Sequence, residues 1–305
     1  MILLPVPRDF VGHDVLRGAV GIDGGTSVRD RGSNILLSDI VKRGPSLDRS
    51  LDGVLSSPES DPLNRFNAYF RLVSANTRSL MDAAFALRYQ VYCIERQFLK
   101  GQSEGLAQQA RGLETDQFDR HALHSLLFHR SFDEAIGTAR LILPEARPNS
   151  LPIQRILKKN GLNPGDYFPS DAVAEVSRFA VSNEFRRREL GPEGPLSAEA
   201  ERERRGYLPC LGLIQNVLRQ SMELGVEYWA AVMEPQLLRW IAMLGIRFQP
   251  IGPMVSYHGL RQPSYCHIPT VLRELAETKP EFWDVVTNRG ELICAPVVDE
   301  FSRVA

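Results

Sequence analysis

The run Ala172-Val173-Ala174-Glu175-Val176-Ser177-Arg178-Phe179-Ala180-Val181 decides how the chain is read. Its apolar and β-branched residues favour a pleated, half-buried segment, and its length suits one strand. On a strand successive side chains point to opposite faces, so Glu175, Ser177 and Phe179 share one side and Val176 and Arg178 the other. A carboxylate in the middle of such a strand is costly to bury and is seldom there for packing. Desolvation would push its pKa upward.

Outward from this strand the elements alternate. Phe70 to Val73 reads as a short strand. Ser79 is placed to cap a helix running to about Ile94, with Leu80, Ala84, Leu87 and Val91 on one face. His124 to His129 and Ala135 to Leu143 read as two strands joined by a Ser-Phe-Asp-Glu turn. After Val181 comes a charged stretch, Glu184 to Arg205, then an amphipathic helix from Tyr207 to Leu224 closed by Gly225. Tyr228 to Met233 reads as a buried strand. Pro235 opens a further helix, ended by Gly245. Ile246 to Tyr257 reads as a strand interrupted by Pro250, Gly252 and Pro253, and the tail from Pro269 holds two short helices. This order predicts an α/β fold with a central mixed, twisted sheet flanked by helices.

The chain of 305 residues is 43% hydrophobic and 24% charged, an ordinary globular composition with room for a sizeable core. A net charge of -1 gives no global attraction to nucleic acid or membrane. Met1 to Pro7 is too short and Pro-broken for a signal peptide, and no apolar run reaches transmembrane length. Cys93, Cys210, Cys266 and Cys294 have no paired spacing, which points to reduced thiols and a cytoplasmic protein. Residues 1–62 are rich in Gly, Ser, Asp and Arg and read as a flexible extension. Within them, Val20-Gly21-Ile22-Asp23-Gly24-Gly25-Thr26 resembles the phosphate hairpin of sugar kinases and actin-like ATPases. Arg29, Asp30 and Arg31 follow at once and no apolar strand returns, so it reads as a Gly-rich tail.

Four segments carry a further resemblance: Leu87-Arg88-Tyr89-Gln90-Val91-Tyr92, Glu114-Thr115-Asp116-Gln117-Phe118-Asp119, Gly137-Thr138-Ala139-Arg140-Leu141-Ile142 and Glu175-Val176-Ser177-Arg178-Phe179. In order and spacing they resemble the acyl-homoserine-lactone synthases and the long-chain N-acyl amino acid synthases. Met233-Glu234-Pro235, Leu244-Gly245-Ile246, Pro250-Ile251-Gly252-Pro253 and Tyr257-His258-Gly259 with Arg261 and Pro263 are similar to the acyltransferases associated with exosortase (PEP-CTERM) protein sorting in bacteria. The resemblance implies an N-acetyltransferase-like (GNAT) fold. In that fold a thioester enters a splay between two neighbouring parallel strands, here 172–181 and 228–233. Residues 63–305 then form an acyltransferase domain with a C-terminal helical extension.

The implied reaction moves a medium or long acyl chain from an acyl carrier protein thioester to the amine of an amino acid or similar small acceptor. Such a reaction needs a proton acceptor, donors for the oxyanion and a positioned thioester. Glu175 is the candidate base; a structural ion pair with Arg140 or Arg88 is its alternative role. Ser177 either donates to the leaving thiolate or bonds backbone. The family match groups Arg88, Asp116, Asp119, Arg140 and Arg178 into one charge cluster shaping the acceptor site. Arg186, Arg187, Arg188, Arg204 and Arg205 suit the phosphopantetheine phosphate and the acidic face of an acyl carrier protein. They stand where a Gly-rich pyrophosphate loop would serve coenzyme A, which makes acyl-CoA the less favoured donor. No bound cofactor is expected. His121, His124 and His129, spaced three and five apart, lack the partners of a metal site. Cys266-His267 with His258 offers a thiol nucleophile that direct transfer does not need. Trp229, Trp240, Met233 and Met243 read as core, some of them as wall for an acyl tunnel. Two rivals remain: an autoinducer (acyl-homoserine-lactone) synthase whose acceptor is S-adenosylmethionine, and a non-catalytic protein that only binds an acyl carrier.

Overall fold

The computed structural model describes residues 61–96, 111–183, 197–257 and 259–294. The Val20–Thr26 motif, Arg186, Arg187, Arg188 and His258 lie outside the described residues. The backbone of Arg204 and Arg205 lies in a helix, and their side chains lie outside them.

A short helix, Pro62–Tyr69 (α1), leads straight into the first strand, Phe70–Ser74 (β1). The Asp61 carboxylate accepts from the N–H groups of Leu63 and Asn64, and Pro62 opens the first turn. The next helix, Arg78–Tyr89 (α2), is capped by Thr77, whose hydroxyl accepts from Leu80 N at 3.3 Å. Ser79 therefore lies inside the helix. The helix continues as a π-helical stretch, Gln90–Glu95. Ala122–His129 (β2) and Glu134–Ile142 (β3) form a hairpin, followed by Pro152–Lys159 (α3) and Val173–Val181 (β4). The long helix Ser197–Glu223 (α4) precedes Tyr228–Met233 (β5) and Pro235–Met243 (α5).

The segment read as one interrupted strand is two pairs of residues, Gln249–Pro250 (β6) and Val255–Ser256 (β7). Both pair with Leu260–His267 (β8), a strand that the sequence pattern hides behind Pro263. Three helices rather than two close the described chain: Ile268–Thr278 (α6), Pro280–Thr287 (α7) and Glu291–Cys294 (α8).

The sheet has eight strands in the order β1-β2-β3-β4-β5-β8-β6, with β7 on β8. Among the described residues only β4 and β5 pair in parallel; the other pairings are antiparallel. One face packs on α4, with Val217, Leu218, Trp229, Ile241 and Leu275 in a common core. The opposite face carries two smaller cores. Ile153, Leu157 and Phe168 cover the lower ends of β4 and β5, and Ala84, Leu87 and Val91 of α2 with its π-helical end cover β2 and β4. Burial of these apolar faces supplies most of the drive to fold. No described helix is long and apolar enough to cross a membrane.

Candidate active site

The site begins with two departures from regular pairing on β4. Toward β5 the pairing is brief: Val173 opposite Tyr228, Ala174 opposite Trp229, Glu175 opposite Ala230. Above that level the two parallel strands part, which opens a wedge in the middle of the sheet. Toward β3 the register shifts, because Arg140 lies opposite Ser177 and Thr138 opposite Ala180, leaving Arg178 and Phe179 against Ala139 alone. This is a β-bulge. Arg178 takes up the extra residue in the left-handed region, φ 48°. An L residue there costs roughly 1–2 kcal/mol.

The bulge corrects the alternation expected from sequence. Arg178 does not point to the face opposite Glu175 and Ser177. It turns to meet Glu114 and Asp116, with Nη2 to Glu114 Oε1 at 2.8 Å and to Asp116 Oδ2 at 3.1 Å. Arg88 donates to Glu114 at 2.5 Å and to Asp119 at 2.6 Å. Arg140 reaches Asp116 at 2.7 Å, Asp119 at 2.6 Å and the Ser177 hydroxyl at 2.9 Å. All five residues of the expected cluster thus come together, and Glu114 stands at their centre. Glu114 was visible in the sequence beside Asp116, but nothing in its spacing marks it as the shared partner of two arginines.

Three guanidinium groups face three carboxylates, so the cluster is balanced. That balance is what lets Arg88 and Arg140 be fully buried. Burial alone would raise Glu114, but Arg178 and Arg88 outweigh it and hold the carboxyl well below the usual range. Asp119 is likewise lowered: burial opposes, and Arg88, Arg140 and the Asp116 N–H prevail. Burial and then Arg88 push His124 down to about 4, so it is neutral beside Asp119 at neutral pH. Among the described residues no group of His, Cys, Asp and Glu is arranged to hold a metal.

Glu175 sits at the vertex of the wedge, 3% exposed. Its Oε2 accepts from the N–H of Ile153, the second residue of α3, at 2.7 Å. Pro152 and the half capping box of Gln154 on Leu151 fix that first turn. Burial raises the Glu175 pKa to about 8, against the opposing pull of the Ile153 N–H and Arg140. No ion pair joins it to Arg140 or Arg88; the nearest cations spend their donors on Glu114, Asp116, Asp119 and Ser177. Ser177 accepts from Arg140, and its own O–H has no acceptor among the described residues.

The wedge holds a cavity of about 170 Å³ that passes through the sheet. On the α3 side its wall is polar, with Asp116, Arg140, Glu175, Ser177 and Tyr257. On the α4 side it is apolar, with Phe179, Ile214, Val217, Trp229, Leu237 and Ile241. Glu234 and Arg261, an ion pair, line the outer part with Tyr92. Tyr257, carried on the hairpin between β7 and β8, is raised by burial and by the nearby Glu175 charge, so it keeps its proton. Cys266 is excluded as a nucleophile: it is buried on β8 and its thiol is pushed far up by burial. Trp240 and Met243 of α5 do not line the cavity, and Met243 is exposed.

Residues 87–191 match the family model described as "Acetyltransferase (GNAT) domain". The chain has the GNAT fold. The matched span runs from the end of α2 through β4 and so contains the cluster, the bulge and Glu175. No curated protein matches the chain. The chain is distantly similar to several solved structures. The AHL synthase LasI is 16% identical over 65% of this chain and 88% of its own, with a TM-score of 0.44. The CoA-dependent acyl-homoserine lactone synthase BjaI, solved with SAM and isopentyl-CoA, is 19% identical over 72% and 88%, TM-score 0.45. FeeM, an N-acyl amino acid synthase from uncultured soil microbes, is 20% identical over 68% and 97%, TM-score 0.42.

Proposed function

We propose that this acyltransferase joins a medium or long acyl chain, delivered as a thioester, to the amine of a small acceptor. The observation that carries the proposal is the cavity through the sheet. It has a carboxyl of raised pKa at its vertex, a charge-balanced wall on one face and an apolar wall on the other. The apolar wall suits the acyl tail. The balanced wall suits a small zwitterion such as an amino acid, because neither sign of charge dominates it.

In this reading the thioester carbonyl lies in the gap above Glu175, where the edge of β4 carries no β5 pairing. The acceptor amine gives a proton to the Glu175 carboxylate, directly or through one water, and attacks the carbonyl carbon. A C–N bond forms and the C–S bond breaks. The Ser177 hydroxyl is free to donate to the oxyanion or the departing sulfur, which leaves as the thiol with one proton. The charge cluster fixes Ser177 through Arg140 and shapes the acceptor wall. The donor in this reading is an acyl carrier protein, met by Arg186, Arg187, Arg188, Arg204 and Arg205, with free coenzyme A a poorer substitute.

Mass spectrometry of lipids from a bacterial host expressing the protein, beside the purified protein turning over one acyl thioester, tests the reading. New N-acylated amines are expected. Glu175→Gln should lower the chemical rate about 10²-fold or more without loss of fold. Normal turnover by that variant removes Glu175 from the mechanism, and no acylated product from wild type in either setting removes the acyltransferase reading.

A further inference from the structure

Trp229 lies at the closed end of the wedge. Its partner across the parallel pair is Ala174, one step below the last paired level, so β4 and β5 are still joined where its side chain projects toward α4. The indole is held there. Its Nε1 donates to Ser221 Oγ at 2.8 Å, and Ser221 in turn donates to the carbonyl of Val217 at 2.7 Å. Ser221 is wholly buried, Trp229 is 3% exposed, and each polar atom of this chain has its partner. Ile214, Val217 and Ser221 recur at helical spacing on one side of α4, so two cavity walls and the pin of the third come from one rigid face. A Trp ring in a core with its N–H satisfied has little freedom to move.

We infer that Trp229, pinned by Ser221, is the stop that sets how long an acyl chain the enzyme accepts. The inference rests on the acyltransferase reading and deepens it. An apolar cavity of about 150 Å³ takes up one benzene molecule. The present cavity of about 170 Å³ is a little larger. Part of that space lies against the polar wall, so the closed apolar end offers a tail only limited room before it reaches Trp229. Longer chains meet the indole and must either fold back or displace it. One methylene too many in a hydrophobic pocket costs about tenfold or more in kcat/KM.

The test is a ladder of straight-chain acyl groups in two-carbon steps, presented both as reactive thioesters and as non-reactive pantetheine thioethers. Wild type, Trp229→Leu, Trp229→Phe and Ser221→Ala are compared, each with its melting temperature. Wild type should show a sharp upper limit in binding and in turnover. Trp229→Leu should move that limit up by about two to four carbons and favour the longer donors at least about tenfold. Ser221→Ala keeps the ring but frees it, so the limit should blur by about threefold to tenfold between neighbouring lengths without moving as far. A merely structural role would lower stability in these variants and leave the length profile where it was. An unchanged limit in Trp229→Phe and Ser221→Ala, the two variants that conserve the core best, overturns the inference. Thioether binding reads the limit even without turnover. A protein that shows the length limit but makes no product sinks the transfer reading and keeps the stop; one that binds no thioether of any length sinks the stop.

Discussion

Glu175 has two consequences that differ in pH direction from those of its neighbour Glu114. Its folded pKa of about 8 lies above its ordinary value, because burial dominates the hydrogen bond from Ile153. Below the ordinary carboxyl range the group is protonated in folded and unfolded chains alike, and it costs nothing. As pH rises toward 8 the unfolded chain releases the proton and the folded chain keeps it, so stability is lost across that window. Glu175→Gln should therefore be more stable than wild type at pH 8–9, by about 3–5 kcal/mol, with the difference vanishing near pH 4. Chemical denaturation at a series of pH values measures it. The same titration predicts a wild-type rate that climbs with pH and levels above about 8, where the base is free, and a flat residual rate in the Gln variant. Glu114 is depressed, so its contribution is present above the ordinary carboxyl range and lost as pH falls below it. Glu114→Gln leaves Arg88 buried and under-paired and should cost about 3–5 kcal/mol, read by urea melts at pH 7.

At the scale of elements the bulge in β4 decides the site. Its left-handed Arg178 would suit glycine, and Arg178→Gly regains about 1–2 kcal/mol of backbone strain. The same change removes a fork that serves Glu114 and Asp116, and leaves Glu114 to Arg88 alone. The loss of charged, half-buried hydrogen bonds outweighs the relief, so a net destabilisation of about 1–3 kcal/mol is expected. It should come with a loss of turnover, since Asp116 then loses one of the cations that position it. Much of this level was legible in the sequence and part was not. Val173–Val181 and Tyr228–Met233 announce themselves by apolar, β-branched runs, and the splay lies between them as expected. The bulge has no signature, because φ at Arg178 is set by pairing with β3 and not by its neighbours in the chain. β8 hides behind Pro263, whose carbonyl nevertheless accepts from Ile251 N at 2.8 Å. The α3 helix, Pro152–Lys159, is absent from the sequence reading, and its service to Glu175, 22 residues away, is a tertiary fact.

For the molecule as a whole, docking and release set the remaining expectations. If the carrier protein is met by Arg186, Arg187, Arg188, Arg204 and Arg205, reversing three of these charges should weaken carrier binding at least about tenfold and flatten its dependence on salt. Titration of the carrier at two ionic strengths reads both effects, and an unchanged affinity moves the docking surface elsewhere. A second consequence follows from the hole in the sheet. On the proposed reading acceptor and tail enter from opposite sides, so the amide, once made, would be threaded through the sheet like a cord through an eyelet. Among the described residues the eyelet is sealed below by the Glu175–Ala230 pairing and opens past the upper strand ends. The finished molecule must therefore be drawn out along the strands, its tail trailing through the gap and losing its apolar contacts one methylene at a time. Each such contact is worth about 0.8 kcal/mol. Egress should then become the slow event for long tails. It would show as a burst of one product per enzyme before steady turnover, and as relief of that brake when micelles or vesicles are present to receive the emerging chain.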